Sequence, residues 1–158
     1  VAGTATAAGC QLVASCDLAY AAEGANFATP GVHIGLFCST PMVAMSRNVA
    51  AKHAMEMLLT GDPCPAPRVA EIGLINEAVP EDELTGRVMA VAAKIAAKST
   101  ATVAYGKPAF YQQAEMTLSD AYQHAAAVMV ENMLARDAEE GIAAFIEKRL
   151  PAWNPAAK

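Results

Sequence analysis

The chain has 158 residues, 54% of them apolar, and a formal charge of −5 from 16 acidic and 11 basic side chains. Its Lys and Arg residues form no stripe along any predicted helix, which argues against a nucleic-acid partner. The run from Gly24 to Ser46 lacks Asp, Glu, Lys and Arg. Its apolar stretch, Gly31 to Ser46, is broken by His33, Gly35 and Pro41 and falls short of the ~20 residues that a bilayer span requires, which argues against a membrane role. The apolar share exceeds the roughly 45–50% of an average soluble domain. The excess is expected to be covered by partner subunits or by further chain, since the sequence opens on Val1 and enters an apolar run as though cut inside a strand. Cys10, Cys16, Cys38 and Cys64 show no C-x-x-C spacing, and only three His residues could join them. No metal site is therefore expected; reduced, buried thiols of a cytosolic or mitochondrial protein fit best.

The first third reads as α/β. Val1 to Thr6 suits a strand, Gly9 to Cys16 a short helix, Leu18 to Ala21 a second strand, and Phe27 to Thr29 a third before Pro30-Gly31 turns the chain. From Pro41 the pattern is helical almost without a break, and Gly61 is a left-handed cap within Thr60-Gly61-Asp62. Met42, Met45, Met55 and Met57 fall at helical spacing and read as core or interface packing. A short helix at Arg68 to Ile72 leads to an extended segment, Leu74 to Val79. Pro80 and the acidic residues Glu81, Asp82 and Glu83 suit the first turn of the next helix, where the macrodipole favours negative charge. Val88, Val91, Ala92 and Ile95 give that helix one apolar face. Helices are then expected at 101–113, 118–136 and 138–148, with Ser119 and Asp120 starting the middle one. Pro151, Trp153 and Pro155 predict a non-helical tail.

The densest functional signal is Ala7-Ala8-Gly9-Cys10-Gln11. Residues no larger than Ala let a backbone approach a ligand closely, and the helix start behind them offers unpaired N–H groups. Such a turn suits an anion or a polarised carbonyl. The same small residues also suit a helix packed tightly on a strand, so the turn alone leaves both readings open. Gln11, one turn further in, can hold a water but cannot titrate.

Gly9-Cys10-Gln11-Leu12 with Cys16-Asp17, then Phe27-Ala28-Thr29-Pro30-Gly31 with Ile34-Gly35-Leu36, resemble the motifs of the crotonase superfamily, the enoyl-CoA hydratase/isomerase family. Ala54 to Gly61, Gly73-Leu74-Ile75 with Val79-Pro80, and Glu140-Gly141 with Ala144-Phe145 and Glu147-Lys148-Arg149 continue the match in the family's order. The resemblance implies an α/β fold made of the second half of the spiral crotonase core, residues 1–80, followed by a helical oligomerisation region, residues 81–158. It implies an acyl-CoA thioester as ligand, no cofactor beyond the coenzyme A carried by the substrate, and a homotrimer or dimer of trimers. The location it implies is cytoplasmic in a bacterium and mitochondrial in an animal. The first half of the family's fold, which supplies one of two oxyanion donors, is expected to lie outside this sequence.

Family members stabilise an enolate with two backbone N–H groups, and one such donor is worth about 10²–10³ in rate. By resemblance the second donor falls on Ala8, with Gly9 beside it. The two carboxylates that activate water match Gln11 and Gly31, neither of which can accept a proton on its side chain. The usual hydratase mechanism is therefore not expected, and enolate stabilisation or simple acyl-CoA binding remains. Gln11 faces either the ligand or nearby backbone groups. Pro30, Ile34 and Ser39 match acyl-pocket positions. Met129 and Lys148 match positions that reach the nucleotide of coenzyme A, although Lys148 beside Arg149 also reads as the solvated basic end of a helix. His33 is the one alternative base in the segment, and its apolar neighbours favour a structural role. Cys10 and Cys38 border this region and read as buried core.

Overall fold

The computed structural model describes residues 1–153. Its elements, in chain order, are β1 (Thr4–Thr6), α1 (Ala8–Ala14), β2 (Tyr20–Ala22), β3 (Asn26–Ala28), a 3-10 turn (Pro30–Ile34), α2 (Ser39–Asn48), α3 (Ala51–Thr60), β4 (Cys64–Pro65), α4 (Ala66–Glu71), β5 (Glu77–Val79), α5 (Leu84–Ala96), α6 (Thr100–Gln113), α7 (Leu118–Met133) and α8 (Arg136–Glu147). They divide into two compact units, Val1–Ala90 and a second from Val91 onward.

The first unit is α/β. Strand β1 pairs in parallel with β3, placing Ala5 opposite Phe27, and β4 adds to β3 antiparallel. A second ladder pairs β2 and β5 in parallel, with Ala21 opposite Ala78. Parallel neighbours need crossovers, and α1 with β2 supplies the one between β1 and β3. Small residues at Ala5, Cys10 and Ala14 let α1 lie close on the sheet, and Phe27, Met45, Met57, Val69 and Ile75 fill the space behind. Outside the core, Arg87 Nε bonds Glu77 at 2.7 Å, and its guanidinium lies 5.6 Å from the centroid of the Tyr20 ring.

The helix expected to run on from Pro41 is two helices, α2 and α3. Val49 and Ala50 between them take extended backbone with ψ of 141° and 140°. At this junction the Asn48 side-chain amide donates to Ala44 O at 2.8 Å and to Ala14 O at 2.9 Å. It ties that end of α2 to α1. Gly61 does cap α3 in the left-handed region, at φ 69°. Of the four methionines, Met45 and Met57 are buried, Met42 is half-buried and Met55 is exposed.

The acidic residues 81–83 form a turn ahead of α5 rather than its first turn: Glu83 N donates to Pro80 O at 3.0 Å and helix begins at Leu84. The expected apolar face of α5 is not buried, for Val88 and Ile95 are both exposed.

The second unit is helical. Ser99 caps α6, accepting from Thr102 N at 3.0 Å while its hydroxyl donates to the buried Asp137 carboxylate. Thr117, two residues ahead of the expected Ser119, caps α7 by accepting from Asp120 N. Pro151 to Trp153 are non-helical as expected, and the Trp153 indole donates to Ala97 O at 2.8 Å. Pro155 lies outside the described residues. No helix among the described residues is long and apolar enough to cross a membrane.

Candidate functional site

Strand β1 runs into α1 through Ala7, whose N–H still pairs with Ala28 O at 2.9 Å. Its backbone then takes φ 46° and ψ −112°, a conformation that costs a side-chain-bearing residue about 1–3 kcal/mol. Helical hydrogen bonding starts at Gln11, whose N–H donates to Ala7 O at 3.0 Å. The Ala8 N–H, at the first helical position, meets no acceptor among the described residues.

The other wall comes from β3. Thr29 is buried and its hydroxyl donates to Met57 O at 2.9 Å, while His33 Nε2 lies 2.9 Å from Thr60 O. These two side chains fasten the 3-10 turn to the last turn of α3: Thr29 at the Met57 carbonyl, which also accepts from Gly61 N at 3.0 Å, and His33 at the terminal Thr60 carbonyl, which the helix itself leaves without a donor. Gly61 completes the contact: a Cβ there would stand 2.9 Å from Val32 Cγ2 and 3.2 Å from Pro30 Cα. The chain then doubles back, with Leu36 N donating to Gly31 O at 2.9 Å, and enters α2 at Ser39.

Between these walls lies a cavity of about 600 Å³, lined by Ala7, Ala8, Pro30, Gly31, His33, Ile34, Leu36, Phe37, Cys38, Ser39, Thr40 and Pro41. Five residues given a site role by the resemblance thus meet in one place, Ala8, Pro30, Gly31, Ile34 and Ser39, with His33 and Cys38 beside them. Gly9 and Gln11 are half-buried in α1 and are not among the lining residues. The Gln11 carboxamide has no hydrogen-bond partner among the described residues, whereas its backbone carbonyl accepts from the Ser15 hydroxyl at 2.8 Å. Among the described residues, no Asp or Glu lines the cavity.

Cys38 departs from the expectation of a buried core thiol, because it is half-buried and lines the cavity. Cys16 departs further and is exposed. Cys10 is buried beneath the turn, and burial first, then proximity to Cys38 and Cys64, pushes its thiol up to about 11. Leu36, read from the sequence only as part of a motif, and Phe37, not singled out at all, also line the cavity; their apolar type beside Gly35 was the available signal.

Met129 and Lys148 belong to the second unit. Met129 is exposed on α7 and lines a cavity of about 400 Å³ with Thr102, Asn132, Phe145 and Trp153. Lys148 is exposed and ends α8 in the left-handed region at φ 54°. Its neighbour Arg149 is held by Glu140 and Glu147.

Residues 1–156 match the family model described as Enoyl-CoA hydratase/isomerase. The chain belongs to that family. It is 53% identical over 152 residues to the mitochondrial enoyl-CoA hydratase domain-containing protein 3 of Rattus norvegicus, and 51% identical to that of Homo sapiens. Both matches cover 96% of this chain, with 51% of the rat and 50% of the human protein. The chain thus spans about half the length of the curated relatives it matches. Among solved structures, an enoyl-CoA hydratase of Mycobacterium smegmatis matches with a TM-score of 0.95 and 50% identity, covering 97% of this chain and 60% of that one. The human enoyl-CoA hydratase domain-containing protein 3 matches with a TM-score of 0.92 and 51% identity, covering 95% and 59%. The α/β crotonase fold and a helical C-terminal region are therefore present, over about three-fifths of the solved chains.

Proposed function

We propose that this chain supplies part of an acyl-CoA thioester site in an enoyl-CoA hydratase-like protein, one that polarises the thioester carbonyl without the usual pair of catalytic carboxylates. The observation that carries this reading is the cavity beside Ala8, which among the described residues has an unpaired backbone donor at one wall and no Asp or Glu in its lining. The N–H of Ala8 donates to the thioester oxygen as charge moves onto it, and the second donor comes from outside this sequence. The strained backbone at Ala7 is in keeping with a turn held for function. Pro30, Ile34 and Ser39 border the acyl group, with Gly9 supporting the turn. Met129 and Lys148 serve the nucleotide end of a coenzyme A held by a neighbouring subunit.

Neither Gln11 nor Gly31 can take up or deliver a proton through its side chain, and each missing acid/base role costs roughly 10²–10⁴ in rate. The reactions left to the site are those that pass through an enolate or tetrahedral oxyanion and exchange their protons with solvent or with groups outside this sequence: isomerisation, thioester hydrolysis or slow hydration. A second reading, a non-catalytic acyl-CoA binder or assembly subunit, is favoured by those same two residues. Under either reading the residues from 81 onward form the assembly region of a trimer or dimer of trimers. Exposed Leu134, Phe145 and Leu150 support that role. The location proposed is mitochondrial, as in the animal relatives, or cytoplasmic in a bacterium.

The deciding experiment measures crotonyl-CoA binding by calorimetry and its hydration by loss of enoyl absorbance, on the natural full-length protein. Binding with hydration at least about 10²-fold below an ordinary hydratase is expected. Turnover at ordinary rates would sink the carboxylate-free reading, and lack of binding would sink the ligand class.

A further inference from the structure

The absence of a side chain at residue 31 is not a simple loss. A Cβ on Gly31 would lie 2.6 Å from the Leu36 carbonyl oxygen and 2.9 Å from Cys38 Sγ. Gly31 is not among the residues with positive φ, so its backbone would accept a side chain; only space forbids one. We infer that the loop from Gly31 to Cys38 is the specificity-determining element of the cavity, because the Leu36 carbonyl and the Cys38 thiol occupy the place of a residue-31 side chain and are what an acyl group meets there. This rests on the acyl-thioester reading above.

The loop cannot easily give way. Leu36 N donates to the carbonyl of Gly31 itself, at 2.9 Å, so the obstructing oxygen is tied to the residue it obstructs. Thr29 and His33 hold the turn to α3 from the other side. Cys38 could change rotamer, but the Leu36 carbonyl could move only with the backbone. Both residues line the cavity, so an acyl group next to Gly31 faces a hydrogen-bond acceptor and a thiol where a water-activating carboxylate would otherwise stand. Restoring Glu at residue 31 therefore does not restore its chemistry.

The test uses the natural full-length protein with crotonyl-CoA as probe. Gln11→Glu combined with Gly31→Glu should gain no hydration over the parent, and Gly31→Ala should lower Tm and weaken crotonyl-CoA binding by at least about tenfold. In the parent, saturating crotonyl-CoA should slow alkylation of Cys38 by N-ethylmaleimide at least about tenfold, while the exposed Cys16 reacts at an unchanged rate. A double variant that gains about 10²-fold in hydration overturns the inference. So does Gly31→Ala with parental Tm and affinity, or crotonyl-CoA that binds yet leaves Cys38 alkylation unchanged; in the last case the acyl-thioester reading survives. Failure of the parent to bind crotonyl-CoA overturns both. The Cys38 measurement needs no substitution, so misfolding of the Gly31 variants does not remove the test.

Discussion

His33 Nε2 lies 2.9 Å from the carbonyl oxygen of Thr60, the last residue of α3. A carbonyl only accepts, so the imidazole carries a proton on Nε2 and donates it there. That fixes the tautomer and gives the ring a structural task at the edge of the cavity. His33→Phe keeps an aromatic ring of similar bulk but has no donor. It should cost about 1 kcal/mol, the net worth of one hydrogen bond, seen as a lower urea midpoint with an unchanged m-value. A variant as stable as the parent would show that the contact contributes nothing.

Gly61 closes the same junction, and it separates two kinds of glycine in this chain. At φ 69° any side chain is strained, and a Cβ would also press on Val32 and Pro30. Gly61→Ala is therefore expected to destabilise by more than about 1 kcal/mol. Gly9 is helical, and a Cβ there meets nothing nearer than Ala5 Cβ at 4.0 Å. Gly9→Ala should stabilise by about 0.5–1 kcal/mol through backbone entropy. Urea melts of the two variants should move in opposite directions from the parent.

What could be read from sequence follows how local each cause is. Thr60-Gly61-Asp62 announces a helix cap because the conformational demand and the residue that meets it coincide. The break after Asn48 was not legible, since Val49 and Ala50 carry no stop signal and the amide that anchors the end of α2 reaches Ala14 across the fold. At the site, the small-residue turn at Ala7-Ala8 and the pocket residues Pro30, Gly31, Ile34 and Ser39 were legible as motifs. That Cys38 borders the pocket was legible too, but its half-buried place in the cavity lining was not. It depends on a backbone carbonyl folding back onto Gly31, and no side-chain type encodes that. The acidic run at 81–83 misled for a related reason: negative charge suits a helix start, but the turn that Pro80 begins uses those residues before the helix opens.

In the second unit, Arg149 grips Glu140 with two nitrogens, at 2.6 and 3.1 Å, and Ala152 N donates to the same carboxylate at 2.7 Å. The Arg149 hydrogen bonds chiefly, then the Ala152 amide, lower the Glu140 carboxyl from its ordinary 4.5 to about 2. A carboxyl whose pKa falls on folding stabilises the native state fully above the unfolded value. That contribution fades as pH drops from about 4.5 toward about 2. Urea midpoints measured across this range should fall for the parent and fall less for Glu140→Gln, whose amide cannot titrate. High salt should narrow the difference, because the clasp is at the surface. Parallel pH profiles for the two proteins would show that the clasp does not contribute to acid stability.

Ala7 carries the sharpest backbone strain in the first unit, at φ 46° and ψ −112°. Glycine adopts such angles without steric penalty, so Ala7→Gly should release about 1–3 kcal/mol of strain. The greater freedom of glycine in the unfolded chain takes back about 0.5–1 kcal/mol, leaving a net gain near 1 kcal/mol and a rise in Tm of about 2–4 °C. The turn that Ala7 holds presents the Ala8 N–H, however, and a residue free to leave these angles holds that donor less firmly. Crotonyl-CoA binding should therefore weaken in the same variant that melts later, an opposition that a purely structural turn would not produce. A thermal melt paired with calorimetric titration of Ala7→Gly reads both. Greater stability with parental affinity would leave the strain without a functional role, and a lower Tm would mean that the geometry at Ala7 is not strained at all.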